Sequence, residues 1–166
     1  MIHIMKQINY DEIISQLKAE LNSECAIANI YGIVLASNIK EFSKGKIIPQ
    51  KILSLIGSSK DIADELSLNK INSFALEAQE YNYLFTFSGE LILISKLSLN
   101  MNLAKYMPSI SVFLKKLSEK HKTQEISEFS VFDFSKEIQK IKETYQIKKG
   151  KDDKYSVIKD LVKYIA

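Results

Sequence analysis

The sequence predicts a mixed α/β domain, in which helices cover both faces of an antiparallel sheet, and three observations carry that expectation. Between Ser73 and Leu97, three extended segments follow one another with barely any connection. Phe74, Leu76 and Ala78 alternate with polar neighbours, and Tyr81, Tyr83, Phe85 and Phe87 alternate again. Period-two spacing marks strands, and Ser88-Gly89 between two such runs marks a tight hairpin. The third run, Leu91-Ile92-Leu93-Ile94, is apolar at every position. A strand apolar on both faces must be covered on both, so Leu91 to Ser95 is expected at the centre of the sheet. Apolar stripes at helical spacing before and after this meander supply the covers.

Taken in order, Asn9-Tyr10-Asp11-Glu12 can cap a first helix, with Asn9 accepting from the backbone and Glu12 reaching back. Ile13, Ile14, Leu17 and Leu21 then form its single apolar stripe. Cys25 to Ile30 and Ile33 to Ser37 are β-type runs flanking Tyr31-Gly32, where glycine suits the positive φ of a hairpin turn. Asn38 to Lys46 is polar and lysine-rich and reads as a mobile loop.

Pro49 suits the first turn of a second helix. Ile52, Leu55, Ile56, Ser59, Ile62, Ala63 and Leu66 share one face of it; Leu53, Gly57, Lys60 and Asp64 form a flank; Ser54, Ser58, Asp61 and Glu65 point away. Gly57-Ser58-Ser59 in mid-helix leaves two readings open. Either the helix breaks there, since the glycine alone costs on the order of 1 kcal/mol in propensity, or the small residues admit another helix. The first strand of the meander, Ser73 to Ala78, is apolar on one face only and carries few charges, which makes it a candidate open edge.

After Leu97 a third helix is expected through Leu103, Tyr106, Ile110, Phe113, Leu114 and Leu117, closing on a lysine cluster that complements the helix dipole. Pro108 must kink it or mark its start. Beyond Thr123 the character shifts. Phe129, Val131, Phe132 and Phe134 form an apolar patch without an obvious partner, Ile138, Ile141 and Tyr145 suggest a fourth helix, and Ile158, Leu161, Val162 and Ile165 suggest a fifth after Asp152-Asp153. Neither tail helix should be stable alone in water. The expected organisation is a domain over residues 1–122 and a helical extension over 123–166, packed on the core or on a partner.

Composition excludes more than it assigns. With 46% hydrophobic residues, the chain can bury a core without disulfides or metals. A net charge of +3 is too small to argue for nucleic acid. All 23 basic residues are lysine, so the chain supplies no bidentate phosphate clamp and no arginine finger. Cys25 is the only cysteine and reads as a buried small residue. No apolar run reaches spanning length, and Met1 to Gln7 lacks a signal peptide's apolar core, so a cytoplasmic location is expected. His3 and His121 are the only histidines, too few and too scattered for a metal site or a catalytic triad. Gly45-Lys46 lacks the spacing of a phosphate loop. Asp61, Asp64 and Glu65 read as a solvated helix face, and the aromatics Tyr81, Tyr83, Phe85 and Phe87 read as core. No catalytic residue, cofactor or metal is expected.

The order helix, hairpin, helix, three-strand meander, helix resembles the roadblock family, related to dynein light chains and the longin-like regulators of small GTPases. The likeness is best over Cys25 to Leu117. Ala26 to Ser37, with Gly32 at its turn, resembles that family's first hairpin. Leu91 to Ile94 and Asn102-Leu103-Ala104 resemble its last strand and the start of its last helix. Pro108 departs from the family's uninterrupted last helix, and the tail after Thr123 lies outside the pattern. The resemblance implies a five-stranded antiparallel sheet with one helix on one face and two on the other. It also implies dimerisation, with second helices side by side and third strands paired across a two-fold axis. Leu53, Gly57, Lys60 and Asp64 would then sit at the helix seam, and Phe74 and Leu76 on the joining strand.

Three functions follow as expectations. The first is a non-catalytic regulatory or scaffold homodimer that binds a small Ras-like GTPase across Lys51, Ser54, Ser58, Asp61 and Glu65. Lacking arginine, it would modulate hydrolysis only by ordering the GTPase's own residues. The second is an assembly subunit that heterodimerises with another roadblock-like chain. The third, nucleic-acid binding through the tail, is the weakest: Glu125 to Ala166 holds nine lysines against eight acids, a net of +1.

Overall fold

The computed structural model describes residues 8–123 and 134–146. The elements run α1 (Tyr10–Leu21), β1 (Glu24–Asn29), β2 (Val34–Ser37), α2 (Gln50–Gly57), α3 (Ser59–Glu65), β3 (Ser73–Glu77), β4 (Tyr81–Ser88), β5 (Leu91–Ser98), α4 (Leu103–Thr123) and α5 (Ser135–Gln146). The strands form one antiparallel sheet in the order β2-β1-β5-β4-β3. β5 holds the central place its unbroken apolar run demands, and Leu91 to Ser95 are all buried. β3 is the terminal strand, paired with β4 among the described residues.

One face of the sheet is sealed by α1, α4 and α5. Ile13, Ile14, Leu17 and Leu21 of α1 are all buried, as their spacing requires. The Asn9 Oδ1 accepts from the Glu12 amide at 3.2 Å and starts the helix. Tyr106, Ile110, Phe113, Leu114 and Leu117 of α4 join the same core, together with Phe134, Ile138 and Ile141 of the tail. Phe134 meets Phe113 edge-on at 5.6 Å between ring centroids. Among the described residues the tail thus packs on its own chain. Phe129, Val131 and Phe132, and the expected fifth helix, lie outside the described residues.

The other face is covered by α2 and the segment between β2 and α2. That segment differs from the mobile loop expected of it. Ile39 and Phe42 are buried in it. Its end is stitched beside β2 by Val34 donating to the Lys46 carbonyl and Gly45 to the Val34 carbonyl, at 2.8 Å each. An Ile33–Ile47 bridge extends the stitching. Gly32, at φ +83°, turns the first hairpin directly under Leu53; a Cβ there would meet Leu53 Cδ1 at 2.6 Å.

Two ambiguities resolve. The second helix is interrupted at Ser58, yet Ser58 keeps right-handed helical backbone (φ −85°, ψ 0°), so α3 continues from α2 with a lapse of one residue. Pro49 is the residue before the first turn rather than within it. Pro108 lies inside α4. Proline has no N–H to offer the carbonyl four residues before it, that of Ala104; Ala104 is an exposed residue, and the helix passes through.

Candidate functional site

The helix formed by α2 and α3 is the least buried element over the sheet. Ala63 is its only buried residue, while Ile52, Leu53 and Ile56 are half-buried against Phe85, Ile92 and Ile94. Between this helix and the ends of β1, β4 and β5 runs a groove of about 590 Å³. Its apolar walls include Ile30, Leu53, Ile56, Ile71, Phe87 and Ile92, and Lys60, Asp64 and Lys70 edge it. A volume of this size is typical of small-ligand clefts, but the groove lies open and, among the described residues, no buried polar residue lines it to fix a ligand.

The site residues expected from the sequence fall into three places. Lys51, Ser54, Ser58, Asp61 and Glu65 are all exposed and recur at three- and four-residue steps, making one polar stripe along the outer face of α2 and α3. Leu53, Gly57, Lys60 and Asp64 line the groove together. Leu53 is held by its contact over Gly32, whereas Gly57 has open space where a Cβ would stand. Phe74 and Leu76 lie on β3, opposite Phe85 and Tyr83, and so share the sheet face on which α2 packs. Phe74 sits 5.7 Å from the Phe87 ring, and Leu76 is 43% exposed on the terminal strand.

The aromatic strand β4 is less buried than expected. Phe85 is core, Tyr83 and Phe87 are half-buried, and Tyr81 is 41% exposed. The cause is that α2 and the Ile39–Phe42 segment reach as far as Phe85, with Phe42 edge-on to Phe85 and Tyr83 at 6.1 and 6.3 Å, and little lies over Tyr81. Lys96 stands over the Tyr81 ring at 4.5 Å and pairs with Glu41 at 2.9 Å. The hydrogen bond from Lys96 holds the Glu41 carboxyl below its usual range, and the same bond raises the Lys96 ammonium.

Two further polar groupings are accounted for by packing. Cys25 is fully buried, and burial pushes its thiol up to about 12, so it is inert. Its neighbour Ser95 accepts from the Tyr106 hydroxyl at 3.1 Å. His121, expected only as part of a lysine cluster, instead ties three elements. The Tyr10 hydroxyl meets its Nδ1, and its Nε2 lies 3.5 Å from Glu90 Oε2 at the β4–β5 turn. Burial raises Tyr10 to about 12, so the phenol keeps its proton. Sequence reasoning missed the groove because its far wall comes from the α3–β3 connection, Asn69 to Ile71, which has no periodicity to read.

No protein-family model matches the sequence, and no curated protein matches it. Solved structures do. MglB of Myxococcus xanthus aligns over 68% of this chain and 99% of its own, with TM-score 0.51 and 15% identity. A structure described as MglB with tetrameric arrangement aligns over 68% of this chain and 88% of its own, with TM-score 0.52 and 12% identity. At such identities the likeness concerns the path of the backbone. The five-stranded antiparallel sheet, with α2 on one face and α1 and α4 on the other, is the roadblock/longin-like fold.

Proposed function

We propose that this chain is a non-catalytic regulator or scaffold, which pairs through α2 and β3 and binds a small Ras-like GTPase on the outer stripe of α2 and α3. The observation that carries the reading is the incomplete burial of α2. Its apolar flank reaches an open groove, and the terminal strand beside that face exposes Leu76. Among the described residues the protomer has both an unpaired strand edge and a half-covered helix on one side, surface that association can bury. Support for a GTPase as partner comes from the resemblance to the roadblock family and from a backbone like that of MglB. With no arginine in the chain, any stimulation of hydrolysis acts by ordering the GTPase's own catalytic residues.

The test is to mix the protein with Ras-like GTPases from its source in both nucleotide states and follow co-elution and hydrolysis rate. Binding to one nucleotide state, abolished by Ser58→Arg and Asp61→Lys on the outer stripe, is the expected result. Failure of every GTPase to bind in either state removes the proposal. A chain that stays monomeric alone but pairs with a second roadblock-like chain would assign it to an assembly role instead.

A further inference from the structure

The hairpin between β1 and β2 holds a cluster of large apolar side chains in solvent. Tyr31 is 74% and Ile47 66% exposed, and Ile30 and Ile33 are exposed beside them. Single apolar residues are ordinary on a protein surface, but these four are neighbours. Three follow one another around Gly32, and an antiparallel bridge sets Ile47 beside Ile33.

The backbone beneath them is closed on itself. Asn29 Oδ1 accepts from the amides of Tyr31 and Ile33 at 3.0 Å each. The Gly32 amide donates to the Asn29 carbonyl at 2.9 Å, and the Gly32 carbonyl accepts from the Ile48 amide at 2.8 Å. Three successive amides thus have their partners inside the chain. A peptide that adds as a strand binds through open backbone groups, and it finds none of these three donors free. An apolar phase makes the opposite demand, because a backbone N–H that enters it must already be satisfied.

Charge sets the kind of surface. Lys46 precedes Ile47, and Lys51 stands in the first turn of α2, the helix whose Leu53 rests over Gly32. Both lysines are exposed, and neither is in an ion pair among the described residues. From Cys25 to Lys60 the sequence has five lysines and one acid, Glu41, which Lys96 holds at 2.9 Å. The groove lined by Ile30 carries Lys60 and Lys70 against one carboxylate, Asp64. The β4–β5 turn reaches the same end of the sheet, since Asn29 pairs with Leu91; its Glu90 faces His121, and Lys122 adds a cation behind Gly89.

We propose that this corner is a membrane-docking tip: Ile30, Tyr31, Ile33 and Ile47 enter the boundary of an anionic lipid surface, and Lys46 and Lys51 lie against its headgroups. Tyrosine suits that depth, because its ring is apolar and its hydroxyl reaches polar groups. The isoleucines supply apolar area, and the lysines are drawn to the negative leaflet. The hairpin lies at the β2 edge, across the sheet from β3, so the tip does not depend on pairing through β3.

The test is sedimentation of the full chain with vesicles, one set of phosphatidylcholine and one of phosphatidylcholine and phosphatidylserine in equal parts. Wild type is expected to bind the second set about tenfold more tightly than the first, and added salt to weaken that binding. Tyr31→Ser with Ile47→Ser should lower affinity for the anionic vesicles about tenfold, and Lys46→Glu with Lys51→Glu by a similar factor. Leu99→Ser removes another exposed apolar side chain, from the opposite end of the sheet, and should leave binding unchanged. All five positions are exposed, so the variants keep the urea midpoint of wild type. Equal binding to both sets, or a tip variant that binds like wild type, overturns the proposal. So does binding to neither set, which would leave the corner to a protein partner.

Discussion

The two faces of the sheet are covered by helices of similar amphipathic pattern and very different burial. On the first face every apolar residue of the α1 stripe is buried, and α4 and α5 close over the same core. On the second, α2 has an apolar stripe as clear as that of α1, yet none of its residues is buried, and a groove of about 590 Å³ separates the helix from the sheet ends. Local pattern is the same; only the number of layers behind it differs. α1 has α5 packed on it from outside, whereas no described element lies behind α2. The face left half-covered is the one next to the terminal strand β3, which is why association is expected there and not on the sealed side.

Removing the outer layer of the sealed face gives the largest expected effect. Truncation after Lys122 deletes Phe134, Ile138 and Ile141, all buried. At roughly 1.5–3 kcal/mol per large apolar side chain, the loss is on the order of 5 kcal/mol. That is comparable with the whole stability of many domains. The truncated chain should aggregate or unfold at much lower urea; if it stays soluble with an unchanged midpoint, α5 is not part of the closed face. A matched pair sharpens the contrast next. Leu17→Ala on the sealed face should cost about 2–5 kcal/mol, because a fully buried site leaves a cavity. Ile56→Ala on the open face should cost about 1 kcal/mol, as only part of its surface leaves water on folding. Equal costs in urea unfolding would erase the distinction between the faces.

Gly57→Ala separates folding from association. A Cβ at Gly57 meets nothing within 4 Å in the protomer, so the change should stabilise the isolated chain by about 0.5–1 kcal/mol through helix propensity. If α2 pairs with a copy of itself, the added methyl should weaken that pairing, seen as a higher dissociation constant beside a higher urea midpoint. The smallest effect lies at the outer rim of the open face. Glu41 is depressed by its hydrogen bond from Lys96. The pair therefore contributes stability above the ordinary carboxylate value of 4.5 and loses it as pH falls through the lower folded value. Because Glu41 is half-exposed, the contribution is at most about 1 kcal/mol. Wild type should exceed Lys96→Met in stability at neutral pH, and the gap should close in acid and shrink in high salt.

Much of this fold was legible because its central strand and its first and last long helices carry patterns that one solution satisfies. Leu91 to Ile94 could only be central, and Ile13, Ile14, Leu17 and Leu21 could only face a core. The segment from Asn38 to Lys46 was illegible for a physical reason: Ile39 and Phe42 are isolated among lysines and polar residues, and their burial depends on a sheet face that local sequence does not contain. The burial of Tyr81, Tyr83 and Phe87 was overestimated for the same reason, since alternation reports which side a residue points to and not what lies over it. The polar stripe Lys51 to Glu65 was readable as a helix face. The groove was not, because it is a distance between two elements, and periodicity carries no distances. In the tail, the stripe of α5 was plain, but its partners on α1 and α4 emerge only from the packing.

Light scattering on the full chain and on Leu76→Lys, across a dilution series, tests the central claim most directly. An exposed strand edge completed by association requires two chains per particle for the wild type, and one chain per particle once a charge stands at Leu76. Wild type that remains a single chain at every concentration, alone and with any roadblock-like partner, would mean that the half-covered side is a finished surface, and the proposed platform would have no basis.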